Sequence, residues 1–157
     1  MITLIGDGGH AAVIRDLIRA RERLDKTFRD VDGTIIAVGN NHDRKREAEA
    51  RKGISFAYLI HPSATVASSA LIGMGTVIMA GAIVQARASI GAHCIINTGA
   101  QVDHDCIVHD FAHISPNATL CGAVEVGEGA WVGAGSVVIQ GMKVKPWCIL
   151  SAGSTMR

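Results

Sequence analysis

The sequence predicts a mainly β protein: a left-handed parallel β-helix, built as a triangular prism of hexapeptide repeats, preceded by a small, shortened α/β Rossmann-like domain. Three observations carry that expectation. Every sixth residue from Val66 to Leu150 is Val, Ile or Leu, with no slip in register. Two positions before each stands a mostly small residue, among them Ala64, Cys94, Cys106, Ala112 and Cys148. Charge is also uneven: residues 1–60 hold 11 Lys or Arg and 9 Asp or Glu, whereas residues 61–157 hold 4 and 5. A helix repeats near 3.6 residues and a strand near 2, so a period of six belongs to neither alone. It fits short strands alternating with tight turns, three hexads to a coil of about 18 residues. The branched residue then fills the interior, and the small one fits where the chain bends.

Within residues 1–60, Ile2 to Ile5 reads as a buried strand and Gly6-Asp7-Gly8-Gly9-His10 as the turn after it. Val13, Ile14, Leu17 and Ile18 then share one helical face, opposite Arg15, Asp16 and Arg19. Thr34 to Val38 reads as a second strand ending in Gly39-Asn40-Asn41, and Asn41 or Asp43 is placed to cap a second helix running to about Lys52. Phe56 to Ile60 leads into His61-Pro62-Ser63, where the prism of residues 61–157 begins. A glycine-rich turn between strand and helix aims N–H groups and the positive helix end at one spot, which suits phosphate. Gly6-Asp7-Gly8-Gly9 falls short of a full GxGxxG, and the same glycines equally suit a tight turn needing positive φ. His10 reads either as a phosphate ligand or as a polar residue at a helix start.

Composition limits the function classes. Hydrophobic residues make up 48% of the 157-residue chain but aromatics only 4%, so the core is built from small branched side chains. A formal charge of +1 gives no electrostatic basis for binding nucleic acid or an anionic membrane. No apolar run approaches the roughly 20 residues of a bilayer span. Met1 to Gly6 lacks a basic leader and meets Asp7 at once, so a cytoplasmic location is expected. Cys94, Cys106 and Cys148 fall in the small inward slot and read as packing residues. Cys121 lies off that register, and there is no CxxC pair.

Polar residues bunch in one stretch of the prism: Asn97, Asp103, His104, Asp105, His109, Asp110, His113 and Ser115. Titratable clusters on an otherwise bland scaffold mark a candidate active site. Histidine, with an ordinary pKa of about 6.5, suits proton removal near neutrality, and a carboxylate beside it favours the imidazolium that forms.

Gly6-Asp7-Gly8-Gly9-His10-Ala11, Ile36-Ala37-Val38-Gly39-Asn40-Asn41 with Arg44, Leu59-Ile60-His61-Pro62-Ser63-Ala64, Asn97-Thr98-Gly99, Val102-Asp103-His104-Asp105-Cys106 and Phe111-Ala112-His113-Ile114-Ser115-Pro116 together resemble the sugar O-/N-acyltransferase family, which includes bacillosamine N-acetyltransferases and sialic acid O-acetyltransferases. The resemblance covers nearly the whole chain. It implies an acetyl-CoA-dependent sugar acetyltransferase of surface-glycan synthesis, acting by direct transfer to an amino or hydroxyl group of a nucleotide-linked sugar. It implies His104 as general base with Asp105 beside it, at a position where family members often carry Glu. It also implies His113, Gly122, Ala134 and Ala152 along the acetyl-CoA path, and Gly8, Gly9, His10, Gly39 and Asn97 on the sugar-nucleotide side. Two departures stand out. The stretch Glu22 to Gly33 lacks the β pattern of the family's additional strand, and the chain stops at Arg157, short of the usual final strand and tail.

Two other readings fit parts of the pattern. His104 and His109 have a plausible spacing for two zinc ligands of a trimeric β-helix metalloenzyme resembling γ-carbonic anhydrase. The third ligand would fall near Ser68, which is no histidine, and His93 lies on the wrong step, so no metal is expected. A non-catalytic assembly module would leave His104 without a role. A bare prism with so little surface charge predicts a homotrimer. His104 and His113, half a coil apart, are expected on opposite parts of one prism; if both serve the same pocket, as the resemblance implies, they come from different subunits and the site lies between them.

Overall fold

The computed structural model describes residues 1–25 and 32–157. Strands β1 (Ile2–Ile5) and β2 (Gly33–Ile36) pair in parallel, Ile2 beside Gly33 and Ile5 beside Ile36. Between them in sequence lies α1 (Gly9–Leu24), whose buried residues are Ala11, Ile14 and Leu17. Each helical residue turns about 100°, so a stripe through Ile14 takes in Ala11 and Leu17 and leaves Val13 to the side. Val13, expected on the buried face, is accordingly 48% exposed. The stretch Glu22 to Gly33, expected to lack a strand, lies partly outside the described residues; its start is helical and Gly33 opens β2.

β2 ends at Ile36, earlier than expected. Ala37 N–H still donates to the Ile5 carbonyl at 2.7 Å, but the Val38 and Gly39 carbonyls turn to the Arg44 guanidinium instead. Helix α2 (Asn41–Glu49) is capped by Asn40, whose side-chain oxygen accepts from the Asp43 N–H at 3.0 Å. Neither Asn41 nor Asp43 caps it, and it stops at Glu49 rather than Lys52. Asn41 instead reaches the prism, its Nδ2 donating to the Gly129 carbonyl at 3.1 Å.

From Leu59 onward the chain winds as a parallel solenoid of two-residue strands in three sheets. The first face carries Leu59–Ile60, Val77–Ile78, Ile95–Ile96, His113–Ile114, Trp131–Val132 and Ile149–Leu150. The second runs from Thr65–Val66 through Gln101–Val102 to Thr155–Met156, and the third from Leu71–Ile72 through Ile107–Val108 to Lys143–Val144. Every pairing joins residues eighteen apart, as Gln101 beside Thr119 and His113 beside Trp131. The hexad residues line the interior, fully buried from Ile78 to Val144 and partly at the ends. Polar members of the small slot solve a local problem: Thr76, Cys94, Cys106 and Ser136 donate to the carbonyls of Gly91, His109, Cys121 and Ser151 at 2.7–3.1 Å. Burial pushes the Cys94 thiol up to about 12, so it stays protonated. Cys148 departs from expectation and is exposed; among the described residues none lies eighteen positions further on to cover it.

A second core lies outside the prism. Ala11, Ile14 and Leu17 of α1 meet Leu59, Val77 and Ile95, the outward residues of the first face. Burying Ile14 and Leu17 contributes roughly 1.5–3 kcal/mol each. Arg44, only 1% exposed, clamps this union. Its Nε donates to the His93 carbonyl at 2.8 Å and its Nη2 to the Phe111 carbonyl at 2.7 Å, on successive coils. Its Nη1 holds Val38 and Gly39, and Nη2 also meets Asn41 Oδ1. Burial lowers its pKa to about 10, which leaves it charged at neutral pH. Beside it His42 stacks on Trp147 at 4.2 Å, and Lys45 Nζ pairs with Glu128 at 2.6 Å. Among the described residues no helix is long and apolar enough to cross a membrane.

Arg44→Met keeps the volume but strands buried carbonyls of both units. It should lower stability by roughly 3–5 kcal/mol, read as a fall in the urea midpoint at fixed protein concentration. A midpoint within experimental error of the parent would show that the clamp is not what holds the units together.

Candidate active site

The polar run that is continuous in sequence is divided by the fold. Asp103, His104 and Asp105 occupy the corner between the second and third faces; His109 and Asp110 occupy the corner between the third and first; His113 lies on the first face; Asn97 and Ser115 follow it at the next corner. Sequence neighbours therefore serve different places.

At the first of these corners His104 Nδ1 meets Asp105 Oδ2 at 2.7 Å. Asp105, in the left-handed region at φ 60°, is gripped from the coil before by Arg87, Nε to Oδ1 at 2.7 Å and Nη2 to Oδ2 at 2.8 Å. The Arg87 hydrogen bonds first, and the one with His104 second, hold the Asp105 carboxyl down at about 2. Asp103 Oδ1 accepts the His104 backbone N–H and shapes the turn. An ionised carboxylate at Nδ1 assigns the proton there and leaves Nε2 as the basic atom. Gly122, on the next coil, faces this ring: a Cβ there would stand 2.8 Å from His104 Cε1 and Nε2. Its missing side chain makes room for the imidazole.

On the first face His113, 7% exposed, stacks on Trp131 with ring centres 5.2 Å apart. Trp131 Nε1 donates to Ser115 Oγ at 2.7 Å. A groove of about 410 Å³ opens here, and its lining includes His113, Trp131, Ala134 and Ala152. Three of the residues expected on the acetyl-CoA path thus share one groove, while Gly122 sits at the His104 corner. Asn97 Oδ1 accepts the Thr98 N–H at 2.8 Å, which turns its Nδ2 toward His113 Nε2 at 3.1 Å. His113 therefore carries its proton on Nδ1, a buried donor without a partner. Burial first, then the charges of Arg44 and His10, lower its pKa to about 3, so it is a neutral donor suited to a carbonyl oxygen.

The glycine turn lies over the same face. Gly6 has φ 114°, and a Cβ there would stand 2.8 Å from the Ala37 carbonyl oxygen, so strand pairing demands it. Gly8 and Gly9 face open space, with nothing within 4 Å of a Cβ, and Gly39 has only His10 Cβ at 3.9 Å. The positive-φ explanation holds for Gly6 alone; the fold leaves Gly8 and Gly9 free at the start of α1. His10 Nε2 is buried without a partner, and burial, then Arg44, lowers the ring to about 4.

The remaining polar residues have local partners. His109 Nε2 meets Glu125 Oε1 at 3.0 Å, and Lys143 Nζ meets Glu125 Oε2 at 2.6 Å. Asp110 Oδ1 accepts the Ala92 N–H at 2.7 Å. His104 and His109 thus pair with different carboxylates at different corners, and among the described residues no group of three or more His, Cys, Asp or Glu is arranged to hold a metal ion. Arg87 and Trp131 join these sites without a local sequence signal; each lies eighteen residues from a residue of the polar run, Asp105 and His113.

No family model matches the chain. UDP-N-acetylbacillosamine N-acetyltransferase of Bacillus subtilis (strain 168) is 48% identical over 111 residues, taking in 50% of this chain and 51% of the relative. The chain spans about half the length of the curated relatives it matches. Among solved structures, PerB from Caulobacter crescentus in complex with CoA and GDP-perosamine superposes with a TM-score of 0.91 at 32% identity, over 99% of this chain and 88% of that one. The acetyltransferase domain of PglB from Neisseria gonorrhoeae FA1090 gives 0.90 at 33% identity, over 99% and 90%.

The two lowered histidines make stability depend on pH. Unfolded, each titrates near 6.5; folded, His10 and His113 resist protonation down to about 4 and about 3. Their contribution is present in full above 6.5 and is lost as pH falls toward those values, with a slope of about 1.4 kcal/mol per pH unit for each proton. His113→Gln should remove about one proton from that slope between pH 6 and pH 4.5 in urea titrations. An unchanged slope would mean that His113 is not protonated on unfolding.

Proposed function

Because the chain belongs to the hexapeptide-repeat sugar N-acetyltransferases, the family of its perosamine and bacillosamine relatives, we propose that it moves the acetyl group of acetyl-CoA onto an amino group of a nucleotide-linked sugar. The observation that carries this reading is the His104 corner: an imidazole oriented through Nδ1 by an ionised carboxylate, with Nε2 making no hydrogen bond among the described residues. The sugar amine attacks the thioester carbon as its free base. The C–N bond forms, the amine proton passes to His104 Nε2, and the C–S bond breaks to release the CoA thiolate, which leaves as the thiol after taking up a proton. Asp105 stabilises the imidazolium formed on the way.

His113 belongs to the acyl-donor side of this scheme. Its neutral Nδ1–H, fixed by Asn97, suits a carbonyl oxygen of acetyl-CoA lying along the groove past Trp131, Ala134 and Ala152. Gly8 and Gly9 at the start of α1 suit the phosphates of the acceptor, with His10 and Gly39 beside them. The relative crystallised with both CoA and GDP-perosamine supports a two-substrate site of this kind.

His104 stands at the corner opposite the first face, where His113 and the groove lie. A prism side of six residues at about 3.3 Å each makes the two roughly 15 Å apart, too far to share one acetyl group. The reading therefore includes a homotrimer in which one subunit's His104 corner meets its neighbour's first face. Cytoplasmic location and a role in surface-glycan synthesis belong to the same proposal.

Acetyl-CoA consumption measured against a panel of nucleotide-linked amino sugars and free sugars tests the function. Turnover of at least one nucleotide-linked amino sugar is expected, and turnover of free sugars alone would contradict it. His104→Ala should lower kcat by roughly 10²–10⁴-fold with little change in the acetyl-CoA KM, whereas His113→Ala should act chiefly on that KM. Near-normal saturated rates in both would remove the base assignment. Gly8→Trp should raise the KM of the nucleotide sugar and spare that of acetyl-CoA; equal damage to both would make the turn merely structural.

A further inference from the structure

We propose that Arg87 is a positioning residue for the His104 base: its guanidinium forks onto the Asp105 carboxylate and so sets the orientation and the tautomer of the imidazole. The inference rests on the reading of His104 as base.

The geometry is a relay between two coils. Arg87 and Asp105 stand eighteen residues apart at the same corner, both with φ 60°. Each backbone is tied to the coil before it, Arg87 N–H to Ser69 Oγ at 3.2 Å and Asp105 N–H to the Ala86 carbonyl at 3.1 Å. Arg87 occupies Oδ1 through Nε and shares Oδ2 with His104 Nδ1. Two parallel N–H···O bonds fix the plane of a carboxylate, which one bond does not. The terminal torsion of aspartate is otherwise broad, and among the described residues no side chain other than Arg87 and His104 binds this carboxylate.

The charges around the His104 ring are few. Asp105 lies at Nδ1 and Arg87 behind Asp105. Asp103 binds the His104 backbone N–H, and on the following coil Gly122 and Ala123 bring none, with Cys121 next to them. Without the fork, the Asp105 carboxylate can rotate into water. The neutral imidazole is then free to carry its proton on Nε2, the atom that must be bare to accept one.

As a stabilising device the pair counts for little. On the single chain the Arg87 and Asp105 side chains are 66% and 38% exposed, and exposed ion pairs contribute roughly 0–1 kcal/mol to its folding. A role in folding and a role in positioning therefore predict different outcomes. Arg87 stands behind Asp105, on the Nδ1 side of the His104 ring and away from Nε2, so loss of positioning should also spare the donor KM.

The test compares Arg87→Gln, Arg87→Lys and His104→Ala with the parent protein. It measures kcat and acetyl-CoA KM with the best acceptor of the sugar panel, the urea midpoint, and the ¹⁵N shifts of the His104 ring, assigned by their loss in His104→Ala. For Arg87→Gln the expected result is a kcat lower by roughly tenfold or more, with KM and midpoint near the parent and the proton redistributed from Nδ1 toward Nε2. Arg87→Lys, charged but unable to fork, should fall between. An inactive His104→Ala beside an Arg87→Gln with parental kcat and tautomer would overturn the role of Arg87 and leave the base reading standing. So would a kcat loss that merely follows a fallen midpoint. A fully active His104→Ala would overturn both.

Discussion

In this solenoid each strand residue lies hydrogen-bonded beside the residue eighteen positions away, and that register governs the chemistry as much as the fold. It sets Arg87 beneath Asp105, the space at Gly122 against the His104 ring, and Trp131 against His113. A one-residue slip would turn the interior Val, Ile and Leu outward and separate each of these pairs at once. The interior enforces the register because only a branched side chain fills the hexad position and only a small one fits two residues earlier. Packed cores do not deform continuously. The site residues inherit a precision that short surface turns would not have alone.

The α/β unit depends on the same prism. Its α1 residues cover Leu59, Val77 and Ile95 but stop short of Trp131 and Ile149, so the first face passes from covered to open at His113. Arg44 fixes the boundary by spending every N–H it uses on carbonyl and amide oxygens, with no carboxylate among the partners. A buried cation without a counter-charge disfavours further positive charge nearby, and it is one reason His10 and His113 stay neutral. The clamp that joins the two units thus also sets the electrostatics of the face where the groove opens.

The hexads were legible because a closed interior tolerates so few side-chain types. The partners across coils were not, because reading by six hides what reading by eighteen shows. Arg87 and Asp105, or Leu59, Val77 and Ile95, stand out only on the longer comb. The run from Asn97 to Ser115 looked like one cluster, but it spans a full coil and is distributed around the perimeter, leaving His104 and His113 apart and giving His109 to Glu125. Arg44 belongs to the motif shared with the family, but its burial is not legible in a helix as charged as Asn41–Glu49, since that burial comes from docking and not from its own segment. Which glycine serves the fold was equally hidden: Gly6 is required by the Ala37 carbonyl across the strand pair, a contact the local sequence does not contain. Val13 and Cys148 differ for simpler reasons, the angular width of a helical stripe and the absence, among the described residues, of a rung over Cys148.

The proposed base and the proposed donor groove, opposed on one prism, would meet only between chains. Co-refolding His104→Ala with His113→Ala in equal amounts tests it most directly, each variant being inactive alone at limiting acetyl-CoA. A cyclic trimer mixed at random has about a quarter of its sites with the base intact on one subunit and His113 intact on the neighbour. Recovery near a quarter of the parental activity, with mixed trimers confirmed by mass, is the result this account predicts. Mixed trimers with no recovery would place both histidines' work within single chains and contradict it.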